Sequence, residues 1–163
     1  MNNKTSFLSH AAIIAALYIV LTFLANAFGL ASGVIQIRFS EALTILPFFT
    51  PAAIPGLFTG CLLANILTGC AVPDVLVGSF ATLMGALFTY KFRKYKWMAP
   101  VPPIVSNAIL IPLVLYDVYD MRPLWFAFVT VTIGEILSCG VLGMLLLHTL
   151  LKHAGRLFND AYR

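Results

Sequence analysis

Six apolar stretches make up most of this chain and leave few polar residues between them. They cover approximately residues 7–29, 39–50, 52–70, 74–90, 99–116 and 123–151. A helix needs about 20 apolar residues to cross the hydrocarbon core of a bilayer. Only 10% of the 163 residues are charged, whereas a soluble domain carries about 25%. The sequence therefore excludes a soluble globular protein and predicts an all-α integral membrane protein, one domain over residues 1–163 with six transmembrane helices.

The second stretch, 39–50, is too short to cross the membrane as a straight α-helix, because about 12 residues rise only ~18 Å. Three prolines lie at its end and just after it, at Pro47, Pro51 and Pro55. This pattern predicts a short or broken second helix and a tightly turned passage into the third span. Such an interrupted segment is typical of a binding cavity, and a tight hairpin is the alternative.

The first stretch also has features of a cleaved signal peptide, because Lys4 precedes it and Ala25-Asn26-Ala27 resembles a cleavage site. Its apolar part is closer to the length of a span than to that of a signal-peptide core. We therefore expect it to be retained as the first span.

The basic residues predict the orientation. With six spans, eight of them fall on one side of the membrane: Lys4, Lys91, Arg93, Lys94, Lys96, Lys152, Arg156 and Arg163. Only Arg38 and Arg122 fall on the other side. Because Lys and Arg concentrate in cytoplasmic segments, we expect a multi-pass protein of the cell membrane with both termini in the cytoplasm. Within a membrane protein this basic excess indicates topology and no nucleic-acid partner.

No motif of an enzyme is present. The chain lacks a GxxxxGK[ST] phosphate-binding loop, so it does not hydrolyse ATP through a P-loop. No His, Cys and Glu residues have metal-ligand spacing, and the three cysteines lie in apolar stretches, where we expect them to pack without special chemistry. We therefore expect no catalytic residues, no metal and no cofactor.

Polar residues inside the spans are the candidate site, because such groups are costly in a bilayer. Asn107 lies ten residues (~15 Å) before Asp117 on span five, and Glu135 lies twelve residues (~18 Å) after Pro123 on span six. Both side chains are therefore expected near the midplane. The other polar residues of the spans fall in the outer half as well: Glu41, Asn65 and Asp74. This asymmetry predicts a polar pocket open to the outside, with bridges between helices as the alternative for the two asparagines.

The acidic residues on the outer side outnumber the basic ones by three: Glu41, Asp74, Asp117, Asp120 and Glu135 against Arg38 and Arg122. Such a cavity favours neutral or cationic ligands that donate hydrogen bonds. Aromatic residues on the same side, among them Trp125, offer flat faces for a ring.

Small residues form stripes on two spans. Ala11, Ala12, Ala15 and Ala16 lie near the inner end of span one, and Gly56, Gly60 and Ala64 lie on span three. Such stripes let helix backbones approach closely. They predict either packing within this chain or a docking surface for another membrane protein.

The run Gln36-Ile-Arg-Phe-Ser-Glu-Ala-Leu-Thr-Ile-Leu-Pro-Phe-Phe-Thr-Pro-Ala-Ala-Ile-Pro-Gly-Leu-Phe-Thr-Gly-Cys-Leu-Leu-Ala-Asn65 resembles the signature of the queuosine-precursor transporter family called QueT. The likeness extends over the whole chain in length, span number, basic loop and alanine stripe. Members of that family are substrate-binding S components of energy-coupling-factor (ECF) transporters.

The resemblance implies an S-component-like fold with an outward-facing pocket for a micronutrient, covered by the loop between spans one and two. It also implies that the alanine stripe, matched at Ala12 and Ala16, docks on a transmembrane coupling protein that carries two ATPase subunits. Arg38 and Gln36 would then belong to the covering loop.

We therefore expect a monomeric S component that captures queuine or a related deazaguanine. Glu135 is the first choice, and Glu41 the second, to accept the paired ring N–H and amino donors of the base. Asn107 or Asn65 would satisfy its carbonyl and remaining donors, and Asp74 or Asp117 would meet the cationic amine of some precursors. The alternatives are an S component for another heterocyclic vitamin, a proton-coupled secondary transporter with Glu135 as its proton site, and an assembly subunit without a ligand.

Overall fold

The computed structural model describes residues 3–30 and 35–157, and within these ranges it is helical without strands. Six α-helices follow one another: α1 Asn3–Ala27, α2 Ala53–Leu67, α3 Val72–Lys91, α4 Val101–Tyr119, α5 Leu124–Glu135 and α6 Gly143–Leu157. A 3-10 helix, Phe39–Phe48, separates α1 from α2, and a short one, Lys96–Met98, precedes α4. The predicted all-α architecture is confirmed.

Four helical stretches are long and apolar enough to cross a membrane: Lys4–Ala27, Val72–Lys91, Lys96–Tyr119 and Leu124–His153. Prolines lie in the first turns of α3 and α4, where a proline removes no hydrogen bond because the first amides of a helix lack partners. Phe39–Phe48 and Ala53–Leu67 are shorter apolar helices. The chain is therefore a helical membrane protein.

The 3-10 helix Phe39–Phe48, called the 3-10 segment below, is the short second helix that the sequence predicts. Its ten residues rise about 2.0 Å each and so cover ~20 Å, whereas an α-helix of that length covers ~15 Å. The segment includes Pro47, and every residue from Ser40 to Pro47 is buried. The chain then turns at residues 49–52 and enters α2. The proline-rich passage is thus both tightly turned and central in the bundle.

Glycines bring α2 close to α1. A Cβ built on Gly56 would lie 2.7 Å from the carbonyl oxygen of Ala11, and one on Gly60 would lie 3.0 Å from the Cα of Ala15. These distances are too short for any larger residue, so the two stripes of small residues pack against each other in part. This contact holds α1 beside the 3-10 segment.

The last membrane span is one helical stretch that changes its winding in the middle. Between α5 and α6, residues Ile136–Leu142 form a π-helix, called the π segment below. Ser138 and Cys139 are the buried residues of this segment. A π-helix is rare and often marks a functional site, because its wider turn shifts which side chains face the interior.

Candidate functional site

A small cavity of about 20 Å³ lies in the middle of the bundle. Its lining comes from the 3-10 segment, α3, α4 and α5, and includes Glu41, Thr82, Asn107 and Glu135. Glu41, Asn107 and Glu135 are each at most 8% exposed. Polar residues that are distant in the sequence therefore meet in the interior of the bundle.

The polar groups of this inner cavity are connected by hydrogen bonds. Tyr18 on α1 donates its hydroxyl proton to Glu41 Oε1, and Asn107 Nδ2 donates to Glu41 Oε2 over 3.4 Å. The thiol of Cys139 donates to Glu135 Oε2 over 3.1 Å. Side chains from α1, α4 and the π segment thus hold the two carboxylates in fixed positions, which reduces the entropy that a ligand must overcome on binding.

The connection that precedes the 3-10 segment packs against the last span at Gly134 and Ser138. The backbone N–H of Arg38 donates to Ser138 Oγ over 3.1 Å. One turn away, the carbonyl oxygen of Gln36 lies so close to Gly134 that a Cβ on this glycine would overlap it. Glycine is therefore required at position 134, and the π segment supplies the hydroxyl that anchors Arg38.

A second cavity, of about 290 Å³, adjoins the first. It lies between α1, α2, α3 and α4, and its polar lining includes Asn65, Asp74 and Tyr119. The hydroxyl of Tyr119 donates to Asp74 Oδ2 over 3.3 Å and accepts the backbone N–H of Ala71 over 3.3 Å. This outer cavity is large enough for a small ring compound, whereas the inner cavity holds little more than a water molecule.

Gln36 and Arg38 line both cavities. Burial acts to lower the pKa of the Arg38 guanidinium, but attraction to nearby acidic groups, among them Asp74 and Glu41, outweighs it and raises this pKa above its usual value. Arg38 is therefore a permanent cation at the junction of the two cavities and partly offsets their carboxylates.

Of the eight residues predicted to bind substrate, six line the two cavities. Glu41, Asn107 and Glu135 line the inner one, Asn65 and Asp74 the outer one, and Arg38 both. Asp117 and Trp125 line neither, and both are exposed. Asp117 lies ten residues after Asn107, and Trp125 lies ten residues before Glu135. Ten residues of an α-helix turn a side chain by about 80° relative to the starting position. Asp117 and Trp125 therefore lie on a different helix face from Asn107 and Glu135.

Several polar residues of the site were not predicted from the sequence: Tyr18, Thr82, Ser138 and Cys139. Cys139 was expected to pack without special chemistry, but its single thiol proton has two acceptors within reach, Glu135 Oε2 at 3.1 Å and the carbonyl oxygen of Glu41 at 3.4 Å. Its spacing of four residues from Glu135 is the signal that could have identified it, because residues i and i+4 share a helix face.

Ligand atoms of Glu41, Glu135 and Cys139 all lie within 4.8 Å of one another, so this cluster could hold a metal ion. Sequence spacing did not predict the cluster, because Glu41 comes from the 3-10 segment and the other two residues come from the last span. Carboxylates with a thiol suit a borderline metal such as zinc.

The alanine stripe of α1 divides into two faces. Ala15 is buried and Ala11 half-buried against α2, whereas Ala12 and Ala16 are exposed. Ala11 and Ala15 therefore serve packing within the chain. Ala12 and Ala16 lie side by side on the outer surface of the bundle, one turn apart, and remain available to a partner.

The basic connection after α3 lies at the same end of the bundle as α6, since the rings of Trp97 and His148 are 5.8 Å apart. Arg163, which the pattern of basic residues predicts at this end, lies outside the described residues, as does the side chain of Arg156.

Comparison with known proteins gives one family. A family model described as QueT transporter matches residues 8–152 of the chain. No curated protein and no solved structure gives a significant match.

Proposed function

Because the chain belongs to the QueT transporter family, we propose that it is the substrate-binding S component of an ECF importer for queuine or a related deazaguanine. The family is one of transporters, and the chain is a helical membrane protein. The observation that carries the finer proposal is the pair of connected polar cavities within an otherwise apolar bundle.

The inner cavity has the hydrogen-bonding groups that such a base needs. A deazaguanine presents a ring N–H and an amino group side by side, and a carboxylate accepts this pair with both oxygens. Glu135 takes this role, since both oxygens of Glu41 already accept hydrogen bonds, from Tyr18 and Asn107, whereas Glu135 accepts one, from the thiol of Cys139, at Oε2. The amide of Asn107 lies next to both carboxylates and satisfies the carbonyl group of the base.

Binding requires the two cavities to merge. A flat bicyclic base exceeds the inner cavity of about 20 Å³ but fits into the outer one of about 290 Å³. Gln36 and Arg38 line the boundary between them. We infer that the base enters from the outer cavity and displaces the side chains of Gln36 and Arg38 as it reaches Glu135.

Transport itself requires partners. The chain has no phosphate-binding loop, so ATP hydrolysis falls to the two ATPase subunits of the transporter. The exposed Ala12 and Ala16 form the contact with the transmembrane coupling protein, because small residues let two helices approach closely. The basic end, with the termini, faces the cytoplasm, and the cavities are open to the outside.

Calorimetric titration of the purified chain with queuine tests the proposal directly. Glu135→Gln keeps the shape of the side chain but places an amide donor against a donor of the base. We expect this change to weaken binding by about 2–4 kcal/mol, or roughly 30- to 1,000-fold. Asn107→Leu should cost less, because a neutral hydrogen bond contributes less than a charge-assisted one.

Asp117→Asn is the matched control, since Asp117 is an exposed carboxylate outside both cavities. It should bind queuine like the parent chain. If Glu135→Gln also binds like the parent, Glu135 is not the recognition group. If it binds normally but transport stops, a proton-coupled secondary transporter explains Glu135 better. Mass spectrometry of small molecules that co-purify with the chain would reveal another heterocyclic vitamin.

A further inference from the structure

A groove outside both cavities opens on the surface of the bundle at its basic end. It has a volume of about 380 Å³ and lies between the start of α4 and the last span. Its lining includes Pro100 on the α4 side and Gly140, Val141 and Leu145 on the other side. None of its lining residues belongs to the inner or the outer cavity. Recognition of a base, as proposed above, therefore leaves this groove without a role.

The groove is polar at one end and apolar along its length. Trp97 and His148 form the polar end, with their ring centroids 5.8 Å apart. Nδ1 of His148 donates to the carbonyl oxygen of Met144 over 2.8 Å, so Nε2 is the ring nitrogen that is available to a ligand. From His148 back to Gly140 the last span covers eight residues, or ~12 Å, which is close to one half of the ~30 Å hydrocarbon core. The groove therefore matches an acyl chain within one leaflet, with its headgroup at the polar end.

The polar end of the groove is also positively charged. The Nζ atom of Lys96 lies 5.4 Å from the centroid of the Trp97 ring. Further basic residues of this end belong to the described part of the chain: Lys91, Arg93, Lys94 and Lys152. The carboxylates that the structure describes line the two cavities or lie at the C-terminal end of α4, whereas the groove is at the start of that helix. An anionic headgroup therefore complements this end of the groove.

We propose that this groove is a selective site for an anionic phospholipid. One acyl chain lies along Val141 and Leu145, and the phosphate group lies between Lys96 and His148. The coupling protein is a less suitable occupant, because its proposed contact is on α1, and α1 contributes no residue to the groove. The inference does not depend on which substrate the chain carries.

The two tryptophans of the chain provide the test, because Trp97 is 67% exposed at the groove and Trp125 is 66% exposed on α5. Trp125→Phe leaves Trp97 as the reporter, and Trp97→Phe leaves Trp125 as the matched control. Each chain is reconstituted in phosphatidylcholine vesicles with a rising fraction of phosphatidylglycerol whose brominated acyl chains quench tryptophan fluorescence on contact. Quenching of Trp97 should show a preference for phosphatidylglycerol of about 5-fold, the contribution of one basic residue near an anionic headgroup. Trp125 should show a preference of less than about 2-fold.

Two charge variants in the Trp125→Phe chain separate a discrete site from general attraction to the basic end. Lys96→Gln should lower the preference at Trp97 to less than about 2-fold, whereas Lys91→Gln, at the end of α3, should keep most of it. An equal loss in both variants would show diffuse attraction and overturn the site. Equal quenching of Trp97 by the two lipids would overturn it as well. If the coupling protein then also shields Trp97 from brominated lipid, the groove is a protein contact instead.

Discussion

A single methyl group added at position 134 tests how tightly the connection that precedes the 3-10 segment packs against α5. Gly134 lies on α5, and the carbonyl oxygen of Gln36 rests directly against it. In Gly134→Ala, the new Cβ would overlap this oxygen and lie 3.3 Å from the carbonyl carbon. Neither group is the flexible end of a side chain. The backbone at Gln36 must therefore retreat by on the order of 1 Å to restore an ordinary contact.

The loss of stability in Gly134→Ala is the sum of the contacts that this displacement disturbs. Overpacking of a tight contact costs about 1–3 kcal/mol, and the nearby hydrogen bond from the Arg38 N–H to Ser138 Oγ contributes about 1 kcal/mol more if it is lost. Because Gln36 and Arg38 line both cavities, ligand binding should weaken as well. We expect thermal unfolding at a lower temperature and about tenfold weaker ligand binding, as 1.4 kcal/mol is a factor of ten.

Gly140→Ala is the matched control on the same span. A Cβ there would meet only Ile136 and Ile104, at 3.7 and 3.8 Å, which are ordinary contacts. Thermal unfolding in detergent and calorimetric titration would be measured on both variants. If Gly134→Ala unfolds and binds like Gly140→Ala, the connection moves freely over α5 and the argument for its close seating is wrong.

Two further predictions concern the membrane context. Replacing Ala12 and Ala16 with Leu should leave the ligand affinity within about 3-fold of that of the parent chain. The same change should abolish association with the coupling protein in a pull-down, because both side chains are exposed. Ala15→Leu, on the buried face, should instead lower the unfolding temperature. A loss of ligand binding in the first variant would assign the whole stripe to internal packing. A cysteine introduced into the basic connection at 91–96 should react with a membrane-impermeant reagent only in inverted vesicles, and labelling from outside intact cells would reverse the proposed orientation.

Composition and periodicity were sufficient to predict the class of fold. Sixteen charges among 163 residues are too few for the surface of a soluble protein. Within lipid, long apolar stretches form helices, because a helix satisfies the hydrogen bonds of its own backbone. The short second helix also followed from local chemistry, because the prolines limit its length. Its 3-10 winding and its burial from Ser40 to Pro47 were not predicted.

The polar residues were also recognisable from the sequence, because a side chain such as Glu135 or Asn107 stands out in an apolar span. Which of them meet could not be derived in the same way. Asp74 and Asp117 were equal candidates for binding a cationic amine. Only the rotation of α3 and α4 about their axes makes Asp74 buried and Asp117 exposed.

The π segment is a further case of what only the tertiary structure decides. Nothing in its sequence distinguishes Ile136–Leu142 from an ordinary apolar helix, yet it contains Ser138, which anchors Arg38, and Cys139, which contacts Glu135. Likewise, Tyr18 becomes part of the site only because Gly56 and Gly60 let α1 approach closely enough to reach Glu41. The apolar pattern depends on each residue's own preference for lipid, whereas the site depends on distances between helices, which arise from contacts among residues far apart in the chain.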